Sequence, residues 1–239
     1  MKTARPAVLL LALVLGACST PSPESLAQND PWENTNRDIF AFDTWVEHNV
    51  ARPVAEGYRA VVPEPARDGV HNMLNNLHSP VILANDVLQG ETRKAARTLG
   101  RIVINSTIGI GGLFDVAAKI GIPYHDNDFG ITMGQAGIWE GSYLVLPILG
   151  PRPPRDLIGG FVDGAFDPMT YAHFPGRHEL LTARTPVSFL DFEDRHMDEI
   201  QSVERSSLDY YASVRSLYRQ RREAQVQGVE FSNMNLPDL

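Results

Sequence analysis

Between Gly90 and Gly164 the chain places fourteen of its nineteen glycines, interleaved with Ile, Leu, Val and Phe and with few charges. That mixture limits the possible folds more than any other stretch. Glycine inside a helix costs about 1 kcal/mol relative to alanine, so long regular helices are disfavoured here. The most apolar part, Asn105 to Pro123 (NSTIGIGGLFDVAAKIGIP), is also too interrupted to span a bilayer, which takes roughly 20 consecutive apolar residues. Three small-xxx-small spacings recur, Gly130/Gly134, Gly137/Gly141 and Gly160/Gly164. Such spacing lets backbones approach closely, although any single pair also reads as loop punctuation. Short helices, bent connections and apolar surface are what this segment can build.

Helical periodicity flanks it on both sides. Ile39, Phe42, Val46 and Val50 step by three and four behind Asn34 or Thr35 as N-cap, with Pro53 ending or kinking that helix. Val70, Met73, Leu74 and Leu77 give a second amphipathic stretch that Pro80 should stop, and residues 81–88 and 92–106 follow. Beyond Asp167-Pro168 the chain is charged and helical again. Ser206 to Asp209 has capping-box spacing, and Leu208, Tyr211, Val214 and Leu217 mark the buried side of the last helix. Arg219, Arg221 and Arg222 near its end suit the helix dipole. Tyr143 to Ile148 is the best strand segment, and it is short. Asn72, Asn75, Asn76 and Asn85 read as helix caps or as polar contacts on a greasy surface. Trp32, Trp45 and Trp139 are anchors either of the core or of a membrane interface. The expected fold is all-α, one domain over residues 30–225 with loop-rich, glycine-rich connections.

The N-terminus gives the address. Lys2 and Arg5 precede the apolar run Ala7 to Leu15, and Leu15-Gly16-Ala17-Cys18 closes it. This is a secretory signal ending in a lipobox: small residues for the peptidase, then the chain's only cysteine as the thiol that takes diacylglycerol and palmitate. Residues 1–17 are the expected signal peptide and 18–29 a flexible tether carrying acylated Cys18. Residues 226–239 read as a disordered tail. Losing Lys2 and Arg5 takes the formal charge from −8 to −10, which argues against nucleic acid as a partner.

Catalytic constellations are missing. There is no G-x-S-x-G elbow and no H-E-x-x-H. Ile102 to Gly112 approaches a nucleotide-binding glycine loop, but the third glycine position holds Phe114. The acidic run Asp191 to Glu199 lacks the turn glycine of a calcium loop and reads as a solvated helix face. No enzyme, metal site or cofactor is expected. Membrane-apposed helices around a lipid-handling cavity are consistent with the apolar middle, because irregular backbone at membrane depth must be buried in protein or line water.

The residues in order carry a resemblance. Asp30-Pro31-Trp32-Glu33, Asn36-Arg37, Phe40-Ala41-Phe42 and Arg52-Pro53-Val54 are followed by Pro65-Ala66-Arg67, Asn75-Asn76-Leu77 and Leu88-Gln89-Gly90. Asn105-Ser106-Thr107-Ile108-Gly109, Gly111-Gly112-Leu113-Phe114-Asp115, Phe129-Gly130, Leu146-Pro147, Arg155-Asp156 and Asp163 continue the series. Over residues 30–225 this resembles the MlaA (VacJ) outer-membrane lipoproteins. The resemblance implies a ring-shaped helical domain in the periplasmic leaflet of the outer membrane, with a central amphipathic channel. It implies removal of mislocalised phospholipid from the outer leaflet and its transfer to a soluble, MlaC-like periplasmic carrier, with a trimeric porin bracing the ring. A structural lipoprotein that scaffolds porins without moving lipid is the alternative. On that footing Ile108, Ile110, Leu113, Phe114, Ile131, Met133, Leu144 and Leu146 are expected to face membrane or channel, and Gly137 and Gly141 to act as hinges. One departure is Asp43, which stands where the family's Phe-Asn element has Asn.

Overall fold

The computed structural model describes residues 21–229. Leu15, Gly16, Ala17 and Cys18 lie outside the described residues, as does the tail beyond Val229. A short helix α1 (Pro23–Ala27) leads to α2 (Glu33–Val46), a π-helical segment (Glu47–Ala51) and α3 (Arg52–Val61). Next come α4 (Glu64–Leu88), α5 (Thr92–Thr107), α6 (Val116–Lys119) and α7 (Phe129–Gln135). A hairpin of β1 (Val145–Leu146) and β2 (Gly150–Pro151) precedes α8 (Pro154–Phe166), α9 (Arg177–Ser206) and α10 (Tyr210–Val226). The architecture is all-α apart from that hairpin.

Helix packing closes a circuit. α4 lies on α5 and on α8, α8 on α7, α7 on α10, α10 on α9, and α9 returns to α4 and α3. Glycine makes the tightest joint possible: a Cβ on Gly159 of α8 would stand 2.5 Å from the Gly130 nitrogen of α7. The small apolar core is Tyr143, Val145 and Tyr211, with Ile39, Phe40 and Tyr218 packed against it.

Several sequence expectations change. Pro53 does not end the first helix. The π turn carries the Arg52 N–H to the Glu47 carbonyl, and Pro53 then sits in the first turn of α3, where a missing N–H is tolerated. α4 likewise runs through Pro80 for 25 residues, with packing from α5 and α8 holding it past the lost bond. The tether is partly folded: Ser22 caps α1 by accepting from the Ser25 N–H at 3.0 Å, and Ser25 and Asp30 are buried. The cap of α10 is Asp209, which accepts from the Ala212 N–H at 3.1 Å, and Leu208 is fully exposed rather than inward-facing. The acidic run of α9 is no solvated face, since Glu193 and Asp194 are buried. Asp194 takes Arg59 at 2.8 Å and Arg67 at 2.5 Å.

Candidate functional site: a polar lumen inside an apolar shell

Among the described residues, sixteen buried residues are polar or charged and only eleven are apolar, while twenty-nine large apolar side chains are exposed. A protein surrounded by water does the reverse. The interior is built from hubs in which one carboxylate gathers several helices. Asp30 accepts from Asn36 Nδ2 at 2.7 Å, Tyr211 OH at 2.5 Å and Arg215 Nη1 at 2.6 Å. Asn36 in turn bonds the Tyr143 carbonyl and the Val145 N–H, which fixes the hairpin to α2.

Inside the circuit lies an open cavity of about 620 Å³. Its wall draws on α4, the loop 126–128, the hairpin, α8, α9 and α10. Val81, Leu149, Pro151 and Phe192 supply apolar surface. One face of α8 supplies the polar side: Asp156, Gly160, Asp163, Gly164 and Asp167 recur at helical spacing. Opposite stand Tyr218, Arg221 and Arg222 of α10, with Arg152 reaching in from the hairpin.

Most of these charges are already satisfied. Asp156 accepts from Tyr218 OH at 2.6 Å, Arg222 Nε at 3.0 Å and Arg222 Nη2 at 2.8 Å. Burial alone would raise the Asp156 pKa; the bond and charge of Arg222 outweigh it and hold the carboxyl below its ordinary value. Arg222 also grips Asp128 at 2.7 Å. Asp163 accepts from Asn85 Nδ2 at 2.8 Å and from the Phe129 N–H at 3.1 Å, yet burial keeps its pKa raised. Asp167 is paired with Arg184. Arg222 therefore braces the interior instead of merely complementing the end of the helix dipole.

The expected site residues separate. Ile108 and Ile110 (both 68 % exposed), Leu113 and Phe114 project outward on the turn between α5 and α6. Gly112, at φ +95°, shapes that turn, and a Cβ there would overlap Asn76. Met133, Leu144 and Leu146 are half-buried. Ile131 is corrected: at 3 % exposure it belongs to the interior packing and faces neither membrane nor channel. None of the eight lines the lumen. Gly137 and Gly141 both adopt left-handed backbone, φ +83° and +84°, at the two ends of the segment Ile138-Trp139-Glu140. Trp32, Trp45 and Trp139 are all exposed, which decides against core anchors. Asp43 donates nothing; its Oδ1 accepts from the Ile148 N–H at 2.7 Å, its Oδ2 is buried without a partner, and burial raises its pKa. The lumen residues of α8 and α10 escaped the sequence reading as a site. Their signal was the helical recurrence of Asp and Gly in one helix and of Tyr211, Arg215, Tyr218 and Arg222 in the other.

Among the described residues no cluster of metal ligands occurs, and no helix is long and apolar enough to cross a membrane. The family model for MlaA lipoproteins matches residues 28–225. The chain is 30 % identical to the intermembrane phospholipid transport system lipoprotein MlaA of Escherichia coli K12, over 100 % of this chain and 94 % of that one. It is equally similar to the protein of the same name in Haemophilus influenzae, over 96 % and 94 %, and 36 % identical to a protein of Rickettsia bellii over 83 % and 77 %. A solved structure from a study of the structural basis for maintenance of bacterial outer membrane lipid asymmetry superposes with a TM-score of 0.74. It is 30 % identical, and the match covers 82 % of this chain and 98 % of that one.

Proposed function

The chain belongs to the MlaA lipoprotein family, and on that premise we propose that it removes mislocalised phospholipid from the outer leaflet of the outer membrane through the lumen. The observation that carries this is the inside-out distribution of polarity: an apolar exterior around a cavity with one apolar and one charged side. The exterior can be solvated by acyl chains. The lumen can keep a headgroup wet, while each CH₂ kept out of water saves about 0.8 kcal/mol. Such a passage lowers the barrier without setting direction, so direction comes from a receiving partner of higher lipid affinity.

In this reading Cys18 holds the acyl anchor after cleavage behind Leu15, Gly16 and Ala17, and the domain sits in the periplasmic leaflet. A trimeric porin braces the exposed apolar belt, and a soluble MlaC-like carrier takes the lipid. Ile108, Ile110, Leu113 and Phe114 are the membrane-facing group, and Gly137 and Gly141 the hinges of the Trp139 segment. The chain acts as a conduit and not as an enzyme.

The test is outer-leaflet phospholipid on intact cells, read with an impermeant amine-reactive label after deleting the gene. Wild type should reverse the rise and Cys18→Ala should not. No rise on deletion, with the rest of the pathway intact, sinks transport and leaves the porin scaffold.

A further inference from the structure

Within the lumen two cations stand apart. Among the described residues, neither Arg152 nor Arg221 forms an ion pair or a side-chain hydrogen bond, whereas Arg222 is committed to Asp128 and Asp156 and Arg184 to Asp167. Both line the cavity from opposite elements, Arg152 from the hairpin and Arg221 from α10. The Arg152 guanidinium lies over Gly160, whose hypothetical Cβ would be 3.6 Å from its Nη1. An alanine methyl there would meet it at ordinary van der Waals distance. Gly160 and Gly164 thus leave space on the lumen face of α8 where the carboxylates on either side, Asp156 and Asp163, already have partners. Among the described residues Asp126 makes no ion pair or side-chain hydrogen bond and Asp163 is held only by the neutral Asn85 amide and the Phe129 N–H, so the two free guanidiniums face two carboxylates without a cation partner.

We propose that Arg152 and Arg221 form a binding site for the phosphodiester of a phospholipid, with the acyl chains against Leu149, Pro151 and Phe192. The proposal rests on the transport reading and adds a ligand group to it. Two guanidiniums offer paired N–H donors that match the oxygens of a phosphate. The cavity is open, so water can accompany the headgroup. Arginine partners offset the repulsion from Asp128, Asp156 and Asp167, which leaves Arg152 and Arg221 to outweigh Asp126 and Asp163 at the phosphate itself.

The experiment compares the purified full-length lipoprotein in detergent micelles for retention of labelled dioleoyl phosphatidylglycerol and of dioleoylglycerol, which lacks the phosphate. Wild type should favour the phospholipid, and Arg152→Gln/Arg221→Gln should lose that preference by on the order of tenfold, the weight of one charge-assisted hydrogen bond. Arg152→Lys/Arg221→Lys should restore part of it. Both side chains are exposed, and an unchanged thermal midpoint confirms that the fold is intact. Equal retention of both lipids by wild type, or an unchanged preference in the Gln variant, overturns the proposal while leaving transport standing. Retention of neither lipid by wild type defeats the transport reading itself. Displacement of the lipid by millimolar glycerol 3-phosphate would show a site for soluble phosphate instead, and also overturns it.

Discussion

Glu193 should make this protein less stable as pH rises through neutrality. It is 3 % exposed on α9, its Oε1 has no hydrogen-bond partner among the described residues, and it faces Glu47. Arg52 already holds Glu47 through bonds of 2.8 and 2.9 Å. Burial first, and then Glu47, push the Glu193 carboxyl from 4.5 up to about 7, against the pull of Arg52 and Arg59. A carboxyl whose pKa is raised on folding binds its proton more tightly in the folded state. Its contribution is intact below the unfolded value and is lost as pH climbs through the folded one. At about 1.4 kcal/mol per pH unit, that displacement sets a ceiling of about 3.5 kcal/mol, and sharing of charge with Glu47 lowers it. Glu193→Gln keeps the shape and cannot ionise. Urea unfolding followed by circular dichroism, in micelles at intervals from pH 4 to pH 8.5, should show the variant gaining on wild type by about 1–3 kcal/mol, mostly between pH 5 and pH 8. Parallel pH curves for the two proteins would refute the reasoning, because every other titrating group is common to both.

Removing the lumen brace should be costlier: Arg222→Met strands Asp128 and Asp156, and thermal unfolding should report a loss of about 3–5 kcal/mol. Gly159→Ala forces a methyl against the Gly130 backbone and should cost about 1–3 kcal/mol, while Gly160→Ala, whose methyl meets only the tip of Arg152, should raise stability by about 0.5–1 kcal/mol through helix propensity. Asp43→Asn keeps the acceptor for the Ile148 N–H and removes a carboxyl whose pKa burial raises. It should therefore raise stability at pH 8 and have less effect at pH 4. Ile108→Asp/Phe114→Asp should weaken partitioning into phospholipid vesicles by at least tenfold in a flotation assay, since each apolar side chain is worth about 1.5–3 kcal/mol on burial.

The helical class and the apolar, glycine-broken middle were legible because both are local properties of the chain. Ile108 and Phe114 were expected to face membrane or channel; they are exposed on a turn that Gly112 makes possible. What the sequence hid was polarity turned inward. Leu208 was expected to lead the buried face of α10, whereas that face is Tyr211, Arg215, Tyr218 and Arg222. Periodicity rules assume that apolar side chains mark the inside, and here the charged stripe does so, because Asp30, Asp128 and Asp156 arrive from more than sixty residues away to meet it. Asp194 was misread for the same reason, since its arginine partners lie on α3 and α4, and Glu193 beside it is buried facing Glu47 of the π segment. Prolines 53 and 80 misled differently, since a π segment and helix packing can each absorb one missing hydrogen bond.

The fold of α1 has a consequence for reach. Because Ser22 to Asp30 is built into the body, an acyl group on Cys18, as proposed, would be no more than the links from Cys18 to Pro21 away from folded protein. Fully drawn out, those three peptide steps span about 11 Å, less than the depth of one leaflet. On the proposed reading, a lipid at Cys18 would then be no mooring line on which the domain drifts through the periplasm. It would be a short pin that sets the depth at which the lumen meets the bilayer, and with Asp30 bonded to α10 the same pin would register α1 and α10 together against the membrane plane.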